Sequence, residues 1–182
     1  MPKYLNKEKN LFQESLDSFI YVDKSPLIEI LNKCIKTKQK YFCLSRPRRF
    51  GKSVTAQMLC SYYSRGEDSS SQFDSLKIAK SPSYKKHLNQ YNIIFINMSL
   101  EFNSARHDVN QMISSVTSSI VKELKEAYPQ VVFNSPNKLY ESLDDVFSDS
   151  KVPFVFIIDE WDRIIKKKKE DAQSLKLYLE WL

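Results

Sequence analysis

Glycine is nearly missing from this chain of 182 residues, which carries two, Gly51 and Gly66. Cysteine is scarce as well. Cys34, Cys43 and Cys60 are odd in number, far apart and without C-x-x-C spacing, and neither His87 nor His107 stands at ligand spacing from them. This argues against a disulfide framework or a metal cluster and predicts three reduced, mostly buried thiols. No apolar run approaches the roughly 20 residues that a membrane-spanning helix needs. The opening decapeptide, MPKYLNKEKN, is too polar for a secretory signal. The expectation is a cytoplasmic chain without a membrane partner.

What is present suits a globular protein. Hydrophobic residues make up 42% and charged residues 27%, and Phe, Tyr and Trp are too plentiful for a disordered chain. The length fits one domain, or one and part of a second. A formal net charge of +6 suits polyanionic partners, either nucleotide phosphates or nucleic acid. The charge is concentrated: Arg46, Arg48, Arg49 and Lys52 crowd one short segment, and Lys166–Lys169 form a second run.

Hydrophobic periodicity orders the elements. Ser25-Pro26 reads as a cap and first helical position, followed by apolar positions at helical spacing, Leu27, Ile28, Leu31 and Ile35. Residues 41–45, YFCLS, read as a short buried strand, and 53–64 as a helix with Val54, Met58, Leu59 and Tyr62 on one stripe. A polar loop follows at 64–72. Residues 92–100 read as the second strand. A long helix over 104–127 is predicted from Ile113, Val116, Ile120 and Leu124, with Pro129 beyond its end. Ser135-Pro136 predicts the start of another helix, carrying Leu139, Leu143, Val146 and Phe147. Residues 152–158, VPFVFII, predict a third strand buried on both faces. Leu175, Tyr178, Leu179 and Leu182 mark a last helix. Strands alternating with helices give an α/β class with a mostly parallel sheet.

Gly51 precedes Lys52-Ser53 at a predicted strand-to-helix junction. Glycine lets a backbone approach a phosphate closely, and a helix start offers unpaired N–H groups and a positive dipole end. Lys52 would reach the β- and γ-phosphates, and the Ser53 hydroxyl would bind Mg²⁺. The pattern G-x-x-x-x-G-K-[ST] asks for glycine where Arg46 stands, so the octet R-P-R-R-F-G-K-S, Arg46 to Ser53, matches it in part. A basic surface turn before a helix has the same composition. The second anchor is FVFIIDE, an apolar strand that ends in Asp159 and Glu160. Ligands of open α/β sheets sit at that edge. Asp159 would hold Mg²⁺ and Glu160 would polarise an attacking water. A strand ending in solvated acids is the plain alternative.

YVDKSPLIEIL (21–31), SRPRRFGKSVT (45–55), FDSLKIAK (73–80) and FVFIIDEWD (154–162) together resemble the predicted AAA-ATPase-like family. Its members carry a Y-V-D-K-T-like segment, an R-P-R-R-F-G-K-S loop and an I-D-E-Y-D-like strand end, so Arg46 is the family's own version of the loop. The resemblance implies a three-layer P-loop ATPase fold, with ATP rather than GTP as nucleotide and Mg²⁺ as cofactor. Cofactor-binding positions are expected at Arg46, Arg48, Arg49, Phe50, Gly51, Lys52, Ser53 and Val54; Arg48 and Arg49 could add charge at the phosphates, Arg49 could face a partner chain, and a solvated basic turn is the plain alternative. The resemblance gives Ser53 and Asp159 to the metal, and Glu160 with Lys52 to catalysis. Asp23 and Lys24 match the D-K segment, with capping and nucleotide contact both open. Ser25 and Trp161 stand where Thr and Tyr are usual.

The family's ATPase region runs on past this length, and many members add a PD-(D/E)XK nuclease-like domain. The expectation is therefore an N-terminal part over 1–182, apparently truncated before the sensor strand and given to homo-oligomer formation. The rival is a basic nucleic-acid-binding or scaffold module that keeps the loop without turnover. Lesser expectations are a surface position for His107, a start of an exposed helix for Lys166–Lys169, and a cap of the last helix for Asp162. Tyr62, Tyr63, Trp161 and Trp181 are expected in the core or at an interface.

Overall fold

The computed structural model describes residues 2–6, 10–45, 47, 49–135 and 137–182. In chain order it has α1 (Asn10–Leu16), α2 (Pro26–Cys34), α3 (Lys52–Tyr63), α4 (Ser70–Phe73), a 3₁₀ turn (Lys77–Lys80) and α5 (Tyr84–His87). Then come β1 (Asn92–Asn97), α6 (Met98–Ser104), α7 (Val109–Ala127), α8 (Leu139–Ser150), β2 (Phe154–Asp159), α9 (Asp162–Lys167) and α10 (Ala172–Trp181). The class is mixed helix and strand, and the sheet among the described residues is the parallel pair β1–β2. The chain divides into two compact units: Asn6–Ile93, and Pro2–Leu5 with Ile94–Leu182.

The first unit is built on aromatic packing around α3. Phe12 of α1 stacks on Phe73 at 5.2 Å between ring centroids, and Tyr62 meets Phe73 edge-on at 5.3 Å. Buried hydroxyls need partners. The Tyr62 hydroxyl donates to the Tyr84 carbonyl at 2.6 Å, and that of Tyr63 donates to Asn32 Oδ1 at 2.8 Å. Tyr62 and Tyr63 are thus core residues, as expected, and they tie the C-terminal half of α3 to α2 and α5. Its N-terminal turn is left to present the loop before it.

The second unit buries one face of α7. Met112, Val116, Ile120 and Leu124 recur at helical spacing and are fully buried with Ile94, Ile96, Phe102, Val146, Ile164 and Tyr178. Asp108 caps α7 by accepting from the Gln111 N–H at 2.9 Å. The Glu123 carboxylate accepts from the backbone N–H groups of Lys3, Tyr4 and Leu5 at 2.7–2.9 Å, and Leu5 then bridges Ile94 in antiparallel sense.

Several expectations need correction. Residues 41–45 are not a strand: they carry no ladder, and Tyr41 and Phe42 are 83% and 52% exposed. An apolar run becomes a strand only with a hydrogen-bonding neighbour, and none pairs with it among the described residues. The strand expected over 92–100 ends at Asn97, whose side chain accepts from the Leu100 N–H at 3.0 Å and starts α6. The strand expected over 152–158 runs from 154 to 159, and it is only partly buried, with Phe156 44% exposed, because β1 covers a single edge of a two-stranded sheet. The long helix starts at Val109, not 104, since α6 and a turn with positive φ at Arg106 and His107 intervene. The helix expected from Ser135-Pro136 begins at Leu139; Pro136 lies outside the described residues.

Of the three free thiols only Cys60 is buried; Cys34 is half-buried, and Cys43, on the unpaired 41–45 segment, is exposed. Lys166 and Lys167 close α9 rather than starting a helix, with Lys166 paired to Asp162 and Lys168 to Asp171. Charge of that sign suits a helix C-terminus. The last helix, α10, is capped not by Asp162 but by Asp171, which accepts from the Ser174 N–H at 3.0 Å. His107 is exposed, as expected, 3.1 Å from Asn103 Oδ1. Trp161 is exposed and Trp181 half-buried against the second unit's core.

Candidate functional site

The first candidate segment is the turn that opens α3. Gly51 is its N-cap residue, with φ 70° and ψ 34° in the left-handed region, where a side chain is strained. Its carbonyl accepts the Thr55 N–H at 3.0 Å and the Thr55 hydroxyl at 2.9 Å, so the helix winds from Gly51 onward. Lys52, Ser53 and Val54 form the first turn of α3, the end at which a helix offers backbone N–H groups. Ser53 is exposed, and Lys52 and Val54 are half-buried. Arg49 precedes them, exposed and also left-handed with φ 65°, beside an exposed Phe50. Positive φ recurs on either side of Phe50, and the non-glycine instance, Arg49, is the form of backbone strain that gathers at ligand-binding loops. Arg46 and Arg48 lie outside the described residues.

The loop is held from behind by Lys24, for which the sequence left capping and nucleotide contact both open. Lys24 Nζ donates to the Phe50 carbonyl at 2.7 Å. A Cβ added to Gly51 would overlap that ammonium and lie 3.6 Å from Lys24 Cε. The residues on either side of Lys24 are anchored. Asp23 accepts from the Lys77 N–H at 2.9 Å and the Ser25 N–H at 2.8 Å, and the fully buried Ser25 accepts through Oγ from the Ile78 N–H at 3.1 Å. Partial burial alone would raise the Asp23 carboxyl, but the hydrogen bonds from Lys77 and Ser25 outweigh it and hold the group below the ordinary aspartate range. Nearby, burial and the Asp23 charge push the Tyr21 hydroxyl up to about 12. The signal for this anchor was the D-K dipeptide in the 21–31 segment.

A second candidate segment, in the other unit, closes β2. Asp159, the strand's last residue, is 9% exposed. Glu160 follows, exposed, with φ 54° and its N–H donated to Asp159 Oδ1 at 2.9 Å. A glutamate in the left-handed region is uncommon enough to suggest function. The turn is fixed from below: the buried Tyr178 hydroxyl donates to the Trp161 carbonyl at 2.7 Å, and the Arg163 N–H to the Glu160 carbonyl at 3.0 Å. The loop residues Arg49–Val54 belong to the first unit, and Asp159 and Glu160 to the second.

The donor set suits a hard cation in kind, since a serine hydroxyl and a carboxylate are oxygen ligands of the sort Mg²⁺ takes alongside waters and phosphate. Among the described residues no group of three or more His, Cys, Asp or Glu forms an all-protein metal cage. No helix among them is long and apolar enough to cross a membrane.

Comparison with known proteins bears on the whole chain. No curated protein and no solved structure matches it significantly. One family profile, AAA-ATPase-like, described as predicted AAA-ATPase, matches residues 10–182 and so takes in the loop, the anchor behind it and both acids. The chain belongs to the AAA-ATPase-like family of predicted AAA-ATPases.

Proposed function

We propose that this chain is a P-loop domain of the three-layer kind that binds ATP with Mg²⁺ and takes part in its hydrolysis. The observation that carries the reading is the turn Arg49–Ser53. It sets a left-handed Gly51, a cationic Lys52 and a hydroxyl at Ser53 on the N-terminus of α3, within a chain of this family. Backbone N–H groups at a helix start and a neighbouring ammonium are the elements from which phosphate cradles are made. Lys52 binds the terminal phosphates and offsets their charge as it develops. Arg46, Arg48 and Arg49 add cationic contacts, and Phe50 and Val54 flank the cradle. Ser53 and Asp159 are the residues that would hold Mg²⁺, which would supply charge neutralisation at the phosphates. Glu160, the exposed acid that follows the strand, orients the attacking water.

The rival reading, a basic nucleic-acid-binding module, is not favoured by the second basic run, whose Lys166 and Lys168 are paired with Asp162 and Asp171. The roles of the acids are separated by substitution. Glu160→Gln leaves the metal ligands in place and is expected to retain ATP while turnover falls by at least about a hundredfold. Measurement of phosphate release together with nucleotide affinity decides this. A Glu160→Gln protein that hydrolyses at the wild-type rate removes Glu160 from the mechanism.

A further inference from the structure

Lys24 lies 26 residues before Phe50 in the sequence, yet its ammonium sits 2.7 Å from the Phe50 carbonyl oxygen, over the face of Gly51 where any other residue would carry Cβ. We propose that Lys24 is the positioning residue of the phosphate loop, a latch that fixes the Phe50–Gly51 peptide so that its N–H faces the phosphate. The inference deepens the ATP-binding reading above and rests on it.

The argument starts from peptide geometry. In a planar trans peptide the C=O and the following N–H point in opposite directions. Gripping the Phe50 oxygen therefore fixes the Gly51 N–H away from Lys24. That N–H is one of the unpaired donors from which an anion cradle at a helix start is built. Without the grip, this peptide is the one in the loop most able to rotate. Glycine occupies positive and negative φ about equally well, so the Phe50–Gly51 plane can flip by changing one angle on either side. The flipped state points a carbonyl oxygen, not a donor, at the phosphate. The protein needs glycine here because Lys24 fills the side-chain space, and it needs Lys24 because glycine leaves the plane loose.

The latch has a rigid base. Asp23 and Ser25, on either side of Lys24, are bonded to the backbone N–H groups of Lys77 and Ile78. Lys24 thus reaches Phe50 from a fixed origin rather than from a wandering loop. An ammonium carries three N–H donors, and the carbonyl uses one, so the same group also adds positive potential beside the turn.

The test uses the 182-residue chain as wild type, Lys24→Met, Lys24→Arg and Lys52→Ala. Lys24→Met keeps the length and apolar stem but loses the donor, and Lys24→Arg restores one. Amide exchange of Gly51–Ser53 without nucleotide reads the latch alone. It is expected to rise about two- to fivefold in Lys24→Met, the loss of a solvent-exposed charged hydrogen bond, and to stay near wild type in Lys24→Arg. Titration with a fluorescent ATP analogue is expected to show Lys24→Met weakened by about tenfold and Lys24→Arg within about threefold of wild type. An adenosine analogue without phosphates is expected to bind all four proteins alike. Unchanged loop exchange in Lys24→Met overturns the latch whatever the nucleotide result. Equal ATP-analogue affinity in wild type and Lys24→Met overturns it as well, even where Lys52→Ala loses binding and the ATP reading stands. Loosened exchange in Lys24→Met with no wild-type binding sinks the ATP reading while leaving the grip on Phe50 real.

Discussion

Replacing Gly51 by alanine probes the loop and the lysine behind it in one experiment. The structure predicts two separable losses. The first is backbone strain, since φ 70° at Gly51 is unfavourable for an L-residue by about 1–2 kcal/mol. Part of it is offset, because alanine has less freedom to lose from the unfolded chain, worth about 0.4–1 kcal/mol. The second loss is the displacement of Lys24, whose ammonium lies where the new methyl must go. Its hydrogen bond to Phe50 is solvent-exposed, so its loss is worth about 0.5–1 kcal/mol rather than the larger figure for a buried charged pair. Gly51→Ala should therefore destabilise the first unit by about 1–2 kcal/mol and Lys24→Ala by about 0.5–1 kcal/mol. In the double variant the hydrogen bond is lost once, not twice, so its destabilisation should match that of Gly51→Ala alone. The coupling of about 0.5–1 kcal/mol is a two- to fivefold effect on an opening equilibrium. Both tryptophans, Trp161 and Trp181, belong to the second unit, so their fluorescence reads the wrong half of the chain. Hydrogen exchange of the α3 amides reads the right one. Destabilisations that simply add in the double variant refute the reasoning, because they mean that Lys24 does not occupy the space over Gly51.

Two further predictions rest on single residues of the first unit. His87 is buried with Nδ1 2.5 Å from the Tyr91 hydroxyl, and burial, with help from Lys86 and Lys36, lowers it from its ordinary value of 6.5. The unfolded chain then binds the proton more readily, so the stability of this unit should be full above pH 6.5 and fall as pH drops below it; α3 exchange measured from pH 7.5 to 5 should show this slope, and His87→Phe should remove most of it. Cys43 is exposed and Cys60 buried, so a thiol reagent with mass-spectrometric mapping should label Cys43 first and Cys60 only on unfolding; prompt labelling of Cys60 contradicts the packing described for α3.

The parts of the fold that could be read from the sequence are those fixed by local periodicity. Helix α7 announces itself because its buried residues Met112, Val116, Ile120 and Leu124 recur every three or four positions, whatever lies opposite, whereas α3 is buried around most of its C-terminal half. Residues 41–45 misled for the complementary reason: Tyr-Phe-Cys-Leu has strand composition, but strand status depends on a partner that composition does not name. The boundary between β1 and α6 was blurred by the apolar run through Met98 and Leu100, although Asn97, a good capping residue, stood there as the sign of a helix start. Within the site, Gly51, Lys52 and Ser53 and the Asp159-Glu160 pair were visible because their residue types and spacing carry the chemistry. Lys24 was visible as part of the D-K segment, but its role was not, because its contact with Phe50 joins positions 26 residues apart and depends on where Asp23 and Ser25 are anchored.

The central claim is that the turn at the start of α3 receives the phosphates of ATP, and Lys52→Ala tests it most directly. Lys52 lies in the first turn, half-buried and away from the aromatic core that holds the unit together, so its removal should leave α3 exchange unchanged. Titration of the wild-type chain with a fluorescent ATP analogue and Mg²⁺ should give saturable binding that Lys52→Ala weakens by at least about tenfold. Equal affinity in the two proteins, with both shown to be folded, contradicts the account.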